Sequence, residues 1–174
     1  FNGLVQIDEH LEVQPCIAKS WKISIDGLHY EFILRNDVFF HDHEKFVNGK
    51  GRKVVAQDVV YSFYRLIDST VASTGGWLFN DKVDKTNPFE AVNDSTFRIN
   101  LKTPFHPMLG LLTLQYCSVV PKEVVDFYGK DFRSHPVGTG PFKLVRWEES
   151  NVLILTRNEH YFEKDTAGNR LPYL

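Results

Sequence analysis

Cysteine is scarce in this chain of 174 residues: Cys16 and Cys117 are the whole complement. They lie far apart, and neither has a CxxC partner or a Cys/His neighbour at metal-ligand spacing, so no local zinc motif can be drawn through them. Buried free thiols are the expectation, since a disulfide would need Cα atoms within about 7 Å. Long apolar runs are also missing, and none approaches the roughly 18 to 20 residues that a membrane helix requires. Neither sign of charge is in excess, because 20 Lys and Arg stand against 22 Asp and Glu for a net charge of -2. With both signs interspersed there is no basic stripe to meet a phosphate backbone, which excludes nucleic acid as the expected partner. No internal repeat or low-complexity segment occurs. The Gly-rich stretch Pro136-Val137-Gly138-Thr139-Gly140-Pro141-Phe142 lacks the Lys and Ser or Thr of a phosphate loop, and a strand pattern follows it where that motif needs a helix. Gly and Pro together make it a rigid structural corner.

What the chain has is apolar and aromatic. Hydrophobic residues make up 43% and aromatic residues 14%, with fourteen Phe, seven Tyr and three Trp. Such a composition excludes disorder and supports one ordinary domain or two small lobes. The chain opens Phe1-Asn2-Gly3-Leu4-Val5 without Met and stops at Leu174, so it is expected to be a piece of a longer protein.

Patterning along the chain predicts strand pairs interleaved with short helices, an α+β arrangement. Residues 17–25 and 29–35 flank the turn Asp26-Gly27 and read as a β-hairpin. The stretch 39–52 mixes His, Asp, Gly and Lys without period and reads as a loop. Val59, Val60, Phe63, Leu66 and Ile67 recur at helical spacing over 56–68, with Gln57 and Asp58 in the first turn. Ser73-Thr74-Gly75-Gly76-Trp77 breaks that pattern. A second hairpin is expected from residues 89–92 and 96–101 around Asn93-Asp94-Ser95. A short helix at 108–114, a buried strand at 116–120 and a helix at 121–128 ended by Gly129 come next. Strands at 140–148 and 152–157 close the series.

The order of these elements carries a resemblance. Phe1-Asn2-Gly3-Leu4-Val5, Ala18-Lys19-Ser20-Trp21, Asp26-Gly27-Leu28, Tyr30-Glu31-Phe32, Leu34-Arg35, Phe40-His41-Asp42, Ala56-Gln57-Asp58-Val59-Val60-Tyr61-Ser62-Phe63, Val119-Val120-Pro121-Lys122 and the 136–142 corner follow one another. The chain resembles the family 5 extracellular solute-binding proteins, the peptide, dipeptide and nickel receptors of ABC importers. The resemblance implies a mixed α/β fold of the periplasmic binding protein type II class, here a partial lobe I with its extra subdomain. Residues of about 1–20 and 136–174 would belong to the core lobe and about 21–135 to the subdomain, with the second lobe absent. It also implies a peptide or small-molecule ligand held in an interlobe cleft, an ABC permease as partner, no cofactor, and a place in the periplasm or on a lipid tether outside the cytoplasmic membrane.

Residue by residue the resemblance carries over to few positions. Asn2 stands in the opening segment that lines the cleft in the family, where Glu is frequent, and the change removes a charge that could pair with a peptide amine. Trp77 falls in the loop after the first long helix, where relatives present an aromatic or charged residue to the ligand. Tyr116 and Cys117 occupy another segment that faces the pocket in some relatives. The ligand-binding set expected here is therefore Asn2, Trp77, Tyr116 and Cys117, beside the alternative that Trp77 is a core aromatic.

Other clusters invite sharper chemistry. His41-Asp42-His43-Glu44 offers imidazole and carboxylate, but on a strand Asp42 would point away from the two histidines. In the resembled family Phe-His-Asp is a common loop element, usually followed by Gly, and His43 stands in place of that Gly. Ser134-His135 with scattered Asp supplies the parts of a hydrolase triad without a Gly-x-Ser-x-Gly elbow. Asp165 to Arg170 looks like part of a calcium loop but lacks its alternating ligands and closing Glu, so a surface turn is expected. A hydrolase or metal-dependent enzyme on a similar scaffold, and an interaction module using its aromatics, are the competing classes.

Overall fold

Short-range pattern decides most of the elements. The computed structural model describes residues 1–173. In chain order they form strands β1 (Val5–Ile7), β2 (Val13–Pro15), β3 (Ala18–Ile23) and β4 (His29–Leu34), helix α1 (Ala56–Ile67), strands β5 (Phe89–Asn93) and β6 (Thr96–Asn100), helices α2 (Met108–Leu111) and α3 (Lys122–Tyr128), and strands β7 (Phe142–Glu148) and β8 (Val152–Arg157). Two compact units result: one comprises Phe1, 37–54 and 120–174, the other 2–36 and 55–119.

The unit of 2–36 and 55–119 is built on a four-stranded antiparallel sheet in the order β3-β4-β6-β5. Both expected hairpins are present, β3 with β4 across Asp26-Gly27 and β5 with β6 across the Asn93 turn. Alternation sends Tyr30, Phe32 and Leu34 of β4 into the core while Glu31 takes the other face. On that face direct cross-strand neighbours alternate in charge. Lys22 Nζ lies 2.7 Å from Glu31, whose other oxygen is 2.8 Å from Arg98, and Arg98 reaches Glu90 at 3.1 Å. The core side is aromatic. Phe63 of α1 meets Phe79 at 5.1 Å, Phe89 at 5.5 Å and Phe97 at 5.4 Å between ring centroids, and all four rings are buried. Each such ring contributes about 1.5–3 kcal/mol by leaving water. The Asp58 carboxylate accepts the Val55 N–H at 2.9 Å and the Asp94 carbonyl accepts the Ala56 N–H at 2.8 Å, so donors at the start of α1 are satisfied within this unit.

Three local expectations change. Residues 116–120 do not form a strand: Gln115–Cys117 is a 3₁₀ turn, closed by Cys117 N–H to the Leu114 carbonyl at 2.9 Å, and the chain then runs extended with Val119 N–H bonded to the Asn2 carbonyl at 2.9 Å. No ladder runs along these residues, although Val119 is as buried as expected. The short helix after Pro107 ends at Leu111, and Pro121 caps α3 from an extended conformation, one residue outside it. The pair β1 with β2 was not expected, because three residues are too few to show a period.

In the other unit, Phe39 bridges Lys53 and closes the 39–52 loop on itself. Arg52 grips Glu123 of α3 through Nε and Nη2 at 2.6 and 2.9 Å. Gly129 ends α3 at φ 54, in the left-handed region that glycine enters freely. The corner at 136–142 is held from inside. His41 N–H donates to the Gly138 carbonyl at 2.8 Å, and the Gly140 carbonyl accepts both His41 Nε2 at 2.8 Å and Asn158 Nδ2 at 3.1 Å. The hairpin β7 with β8 follows, its register shifted between Leu144 and Arg146.

Candidate functional site

All four residues expected to meet ligand, Asn2, Trp77, Tyr116 and Cys117, belong to the unit of 2–36 and 55–119. Local backbone packing brings their segments together. The Asn2 carbonyl takes the Val119 N–H, and a Cβ on Gly3 would come within 3.3 Å of the Cys117 carbonyl, so residues 2–3 run along 117–119. The turn before Trp77 lies against Tyr116. A Cβ on Gly75 would stand 2.9 Å from Tyr116 Cβ, Cγ and Cδ1, and one on Gly76 would meet the Leu66 carbonyl at 2.8 Å. Glycine is required there by lack of space.

The side chains differ in what they can offer. Trp77 is 51% exposed and Tyr116 38%, so both keep aromatic surface for an incoming group. Trp77 is therefore no core residue. Lys82 Nζ fixes the turn from behind by donating to the Trp77 carbonyl at 2.8 Å. Asn2 is partly buried and turns its amide inward, Nδ2 to Cys16 Sγ at 3.4 Å. Cys117 lies under the surface: it is fully buried, its thiol donates to the Leu111 carbonyl at 3.8 Å, and burial pushes its pKa up to about 12. In this structure it supports Tyr116 and presents no thiolate to a ligand. Cys16 and Cys117 are both buried and unbridged.

The other clusters named from sequence are engaged by their own surroundings. His41 serves the 136–142 corner, the Asp42 carboxylate accepts the Gly51 N–H and Lys50 Nζ at 2.9 Å each, and His43 Nδ1 accepts the Lys45 N–H at 3.2 Å while Nε2 meets the Tyr128 hydroxyl at 3.3 Å. Burial holds the pKa of both His41 and His43 below the usual imidazole value. Among the described residues no group of three or more His, Cys, Asp or Glu is placed to hold a metal ion. His135 stacks on Tyr128 at 4.0 Å and donates from Nδ1 to the Asp131 carbonyl at 3.1 Å, which orients the ring without Ser134. Asp165 turns its carboxylate onto Asn169 and the Tyr173 hydroxyl, as a surface turn does.

Fold and element order together define a class: solved structures of periplasmic substrate-binding proteins superpose on this chain. A peptide-bound DppA of Helicobacter pylori matches with a TM-score of 0.80 and 31% identity, over 94% of this chain and 34% of that one. NikZ of Campylobacter jejuni in complex with Ni(L-His) matches with a TM-score of 0.79 and 31% identity, over 94% of this chain and 31% of the other. The family model for bacterial extracellular solute-binding proteins, family 5, middle region, matches residues 12–174, and the chain belongs to that family. Heme-binding protein A of Haemophilus influenzae is 32% identical over 98% of the chain and 33% of its own length. The chain thus spans about a third of the length of the curated relatives it matches. Family 5 proteins are periplasmic or extracellular, and no described helix here is long and apolar enough to cross a membrane.

Proposed function

We propose that the chain is part of lobe I of the substrate-binding component of an ABC importer. Residues of about 1–20 and 136–174 contribute to the core lobe and about 21–135 to the extra subdomain, a division by role in the receptor that is separate from the two compact units. The receptor works outside the cytoplasmic membrane, free in the periplasm or lipid-tethered. It captures a peptide or a similar small solute in an interlobe cleft and hands it to the permease, with no chemistry on the solute. The observation that carries this reading is the packing of Asn2-Gly3, Gly75 to Trp77 and Tyr116 to Val119 against one another in a family 5 chain, with two aromatic side chains left partly exposed. The heme-binding relative and the peptide-bound and Ni(L-His)-bound structures support small solutes as the ligand class without choosing among them. A buried, protonated Cys117 favours binding over thiol chemistry.

The test uses the full-length receptor. Ligand released by denaturation is identified by mass spectrometry, and binding is titrated against peptide pools, haem and Ni²⁺ by thermal shift. Trp77→Ala is expected to weaken the ligand so identified by about tenfold or more, the scale of losing a large aromatic contact. An unchanged affinity in that variant would remove Trp77 from the site, and the absence of any bound or shifting solute would count against the receptor reading itself.

A further inference from the structure

Trp77 owes its position to its backbone. Among the described residues its indole stacks on no ring and sits under no cation, and its Nε1–H donates to no protein acceptor. It is 51% exposed, between the buried Gly76 and Leu78, so the ring points wherever the turn aims it. Upstream that turn is wedged, because Gly75 and Gly76 have no space for a Cβ. Downstream the hold is electrostatic. The 3₁₀ turn of 76–78 bonds Leu78 N–H to the Gly75 carbonyl and Phe79 N–H to the Gly76 carbonyl, each at 3.1 Å, and no backbone N–H among the described residues reaches the Trp77 carbonyl. Lys82 Nζ supplies that donor at 2.8 Å, as basic side chains do for the last carbonyls of a helix.

Lys82 can do this because its own backbone is fixed. Asp81, at φ 63 in the left-handed region, turns the chain back, and the N–H groups of Lys82 and Val83 both bond the Phe79 carbonyl, at 3.0 and 3.2 Å. Beyond the turn the chain joins the end of β6: Val83 bridges Leu101, and the Lys82 carbonyl accepts the Lys102 N–H at 2.8 Å. From this seat the ammonium reaches back five residues, with the Phe105 ring at 5.6 Å and no carboxylate in ion-pair range among the described residues. We propose that Lys82 is a positioning residue for solute capture: its bond to the Trp77 carbonyl holds the indole in its binding orientation before a solute arrives. The proposal rests on reading Trp77 as a ligand-facing residue. A charged donor on a carbonyl makes one of the stronger hydrogen bonds, and this one acts on the peptide that carries the ring. Without it the turn samples other conformations, and apparent affinity falls with the fraction that remains competent. That loss appears in association, because escape from an assembled site is unchanged. Removing a group that touches solute speeds dissociation instead.

The test uses the full-length protein with Lys82→Met, which keeps the apolar stem and removes the ammonium, and Lys82→Arg, which keeps a cationic donor. The protein is labelled with fluorotryptophan, and the Trp77 resonance, identified by its loss in Trp77→Phe, is followed by fluorine NMR without solute. Lys82→Met is expected to shift and broaden that resonance while those of Trp21 and Trp147 hold, and Lys82→Arg to restore it. An unchanged Trp77 resonance in Lys82→Met overturns the proposal, and so does equal disturbance of all three tryptophans, which marks a general loss of structure. Association and dissociation rates are then measured with haemin and with trialanine as probes. For a probe that the parent binds, Lys82→Met should slow association by about tenfold and change dissociation by less than about twofold, whereas Trp77→Ala should chiefly speed dissociation. Faster dissociation at equal association in Lys82→Met overturns positioning and makes Lys82 a solute contact. Binding of neither probe bears on the receptor reading alone, and the Trp77 resonance still decides the role of Lys82.

Discussion

Gly75→Ala should destabilise the protein, although backbone propensity alone says the opposite. Gly75 sits at φ -85 and ψ -2, an ordinary right-handed conformation open to alanine. Restricting the unfolded chain by that change would stabilise by about 0.4–1 kcal/mol if the site had room. It has none. The new Cβ would lie 2.9 Å from Tyr116 Cβ, Cγ and Cδ1, at least about 0.6 Å inside favourable carbon contact. One of those atoms is the Tyr116 Cβ, which no ring rotation can withdraw, so the strain must move backbone. Overpacking of this kind costs about 1–3 kcal/mol, and the net expectation is a loss of about 1–2 kcal/mol. Urea denaturation of the full-length protein measures it as a lower midpoint at unchanged slope. Gly110→Ala is the control. Gly110 lies in α2, and a methyl group there would meet no neighbour within 4 Å, so the same chemical change should be neutral or stabilising by up to about 1 kcal/mol. A Gly75→Ala protein as stable as its parent would refute the claim that the turn before Trp77 is held by contact with Tyr116.

Two further outcomes follow from the packing and the charges. Phe63→Ala empties the centre of the Phe63, Phe79, Phe89 and Phe97 cluster and should cost about 3–5 kcal/mol in urea denaturation, while a loss below about 1 kcal/mol would show that the cluster is not the core of its unit. Stability should also fall on mild acidification. Burial lowers the folded pKa of His41 and His43, so the unfolded chain binds protons first; their contribution is complete above about pH 6.5 and is lost as pH falls below it. The denaturation midpoint should drop between about pH 7.5 and 5.5, and a His41→Gln, His43→Gln double variant should flatten that drop; an equal drop in the variant would place its origin elsewhere. The carboxylates Glu31, Asp42 and Glu123, each lowered chiefly by hydrogen bonds, lose their contributions only in a separate window under about pH 4.5.

The hairpins and α1 were legible because their signals are local: turn residues between alternating runs, and apolar residues at helical spacing. The segment 116–120 was not, since a short apolar run looks alike whether it pairs in a ladder or threads the core as extended chain, and only the bond from Val119 to Asn2 separates the two. The roles of His41, Asp42 and His43 were out of reach for a related reason. Composition lists what side chains could bind, while geometry had already committed His41 to Gly140, Asp42 to Gly51 and His43 to Lys45 and Tyr128. For the candidate site, two successive glycines before Trp77 were the sole hint of a close approach. Their partner, Tyr116, lies far along the chain and no spacing rule connects them. Burial is not legible residue by residue either, because successive positions of the 115–117 turn point apart, leaving Tyr116 partly outside and Cys117 wholly inside.

A Glu at position 2 could meet a ligand amine, and Asn2 brings no such charge. The structure supplies a reason that involves no ligand: Nδ2 of Asn2 donates toward Cys16 Sγ at 3.4 Å, a contact an ionised carboxylate cannot make because it has no donor. A Glu in this place would set its charge beside a buried thiol and would have to turn outward to stay solvated. Asn2 and Cys16 thus read as a matched pair, with the Asn2 backbone carbonyl simultaneously fixing Val119. The Asn2 amide is thus turned onto Cys16, and the surface that Trp77 and Tyr116 leave partly exposed is suited to apolar or aromatic atoms.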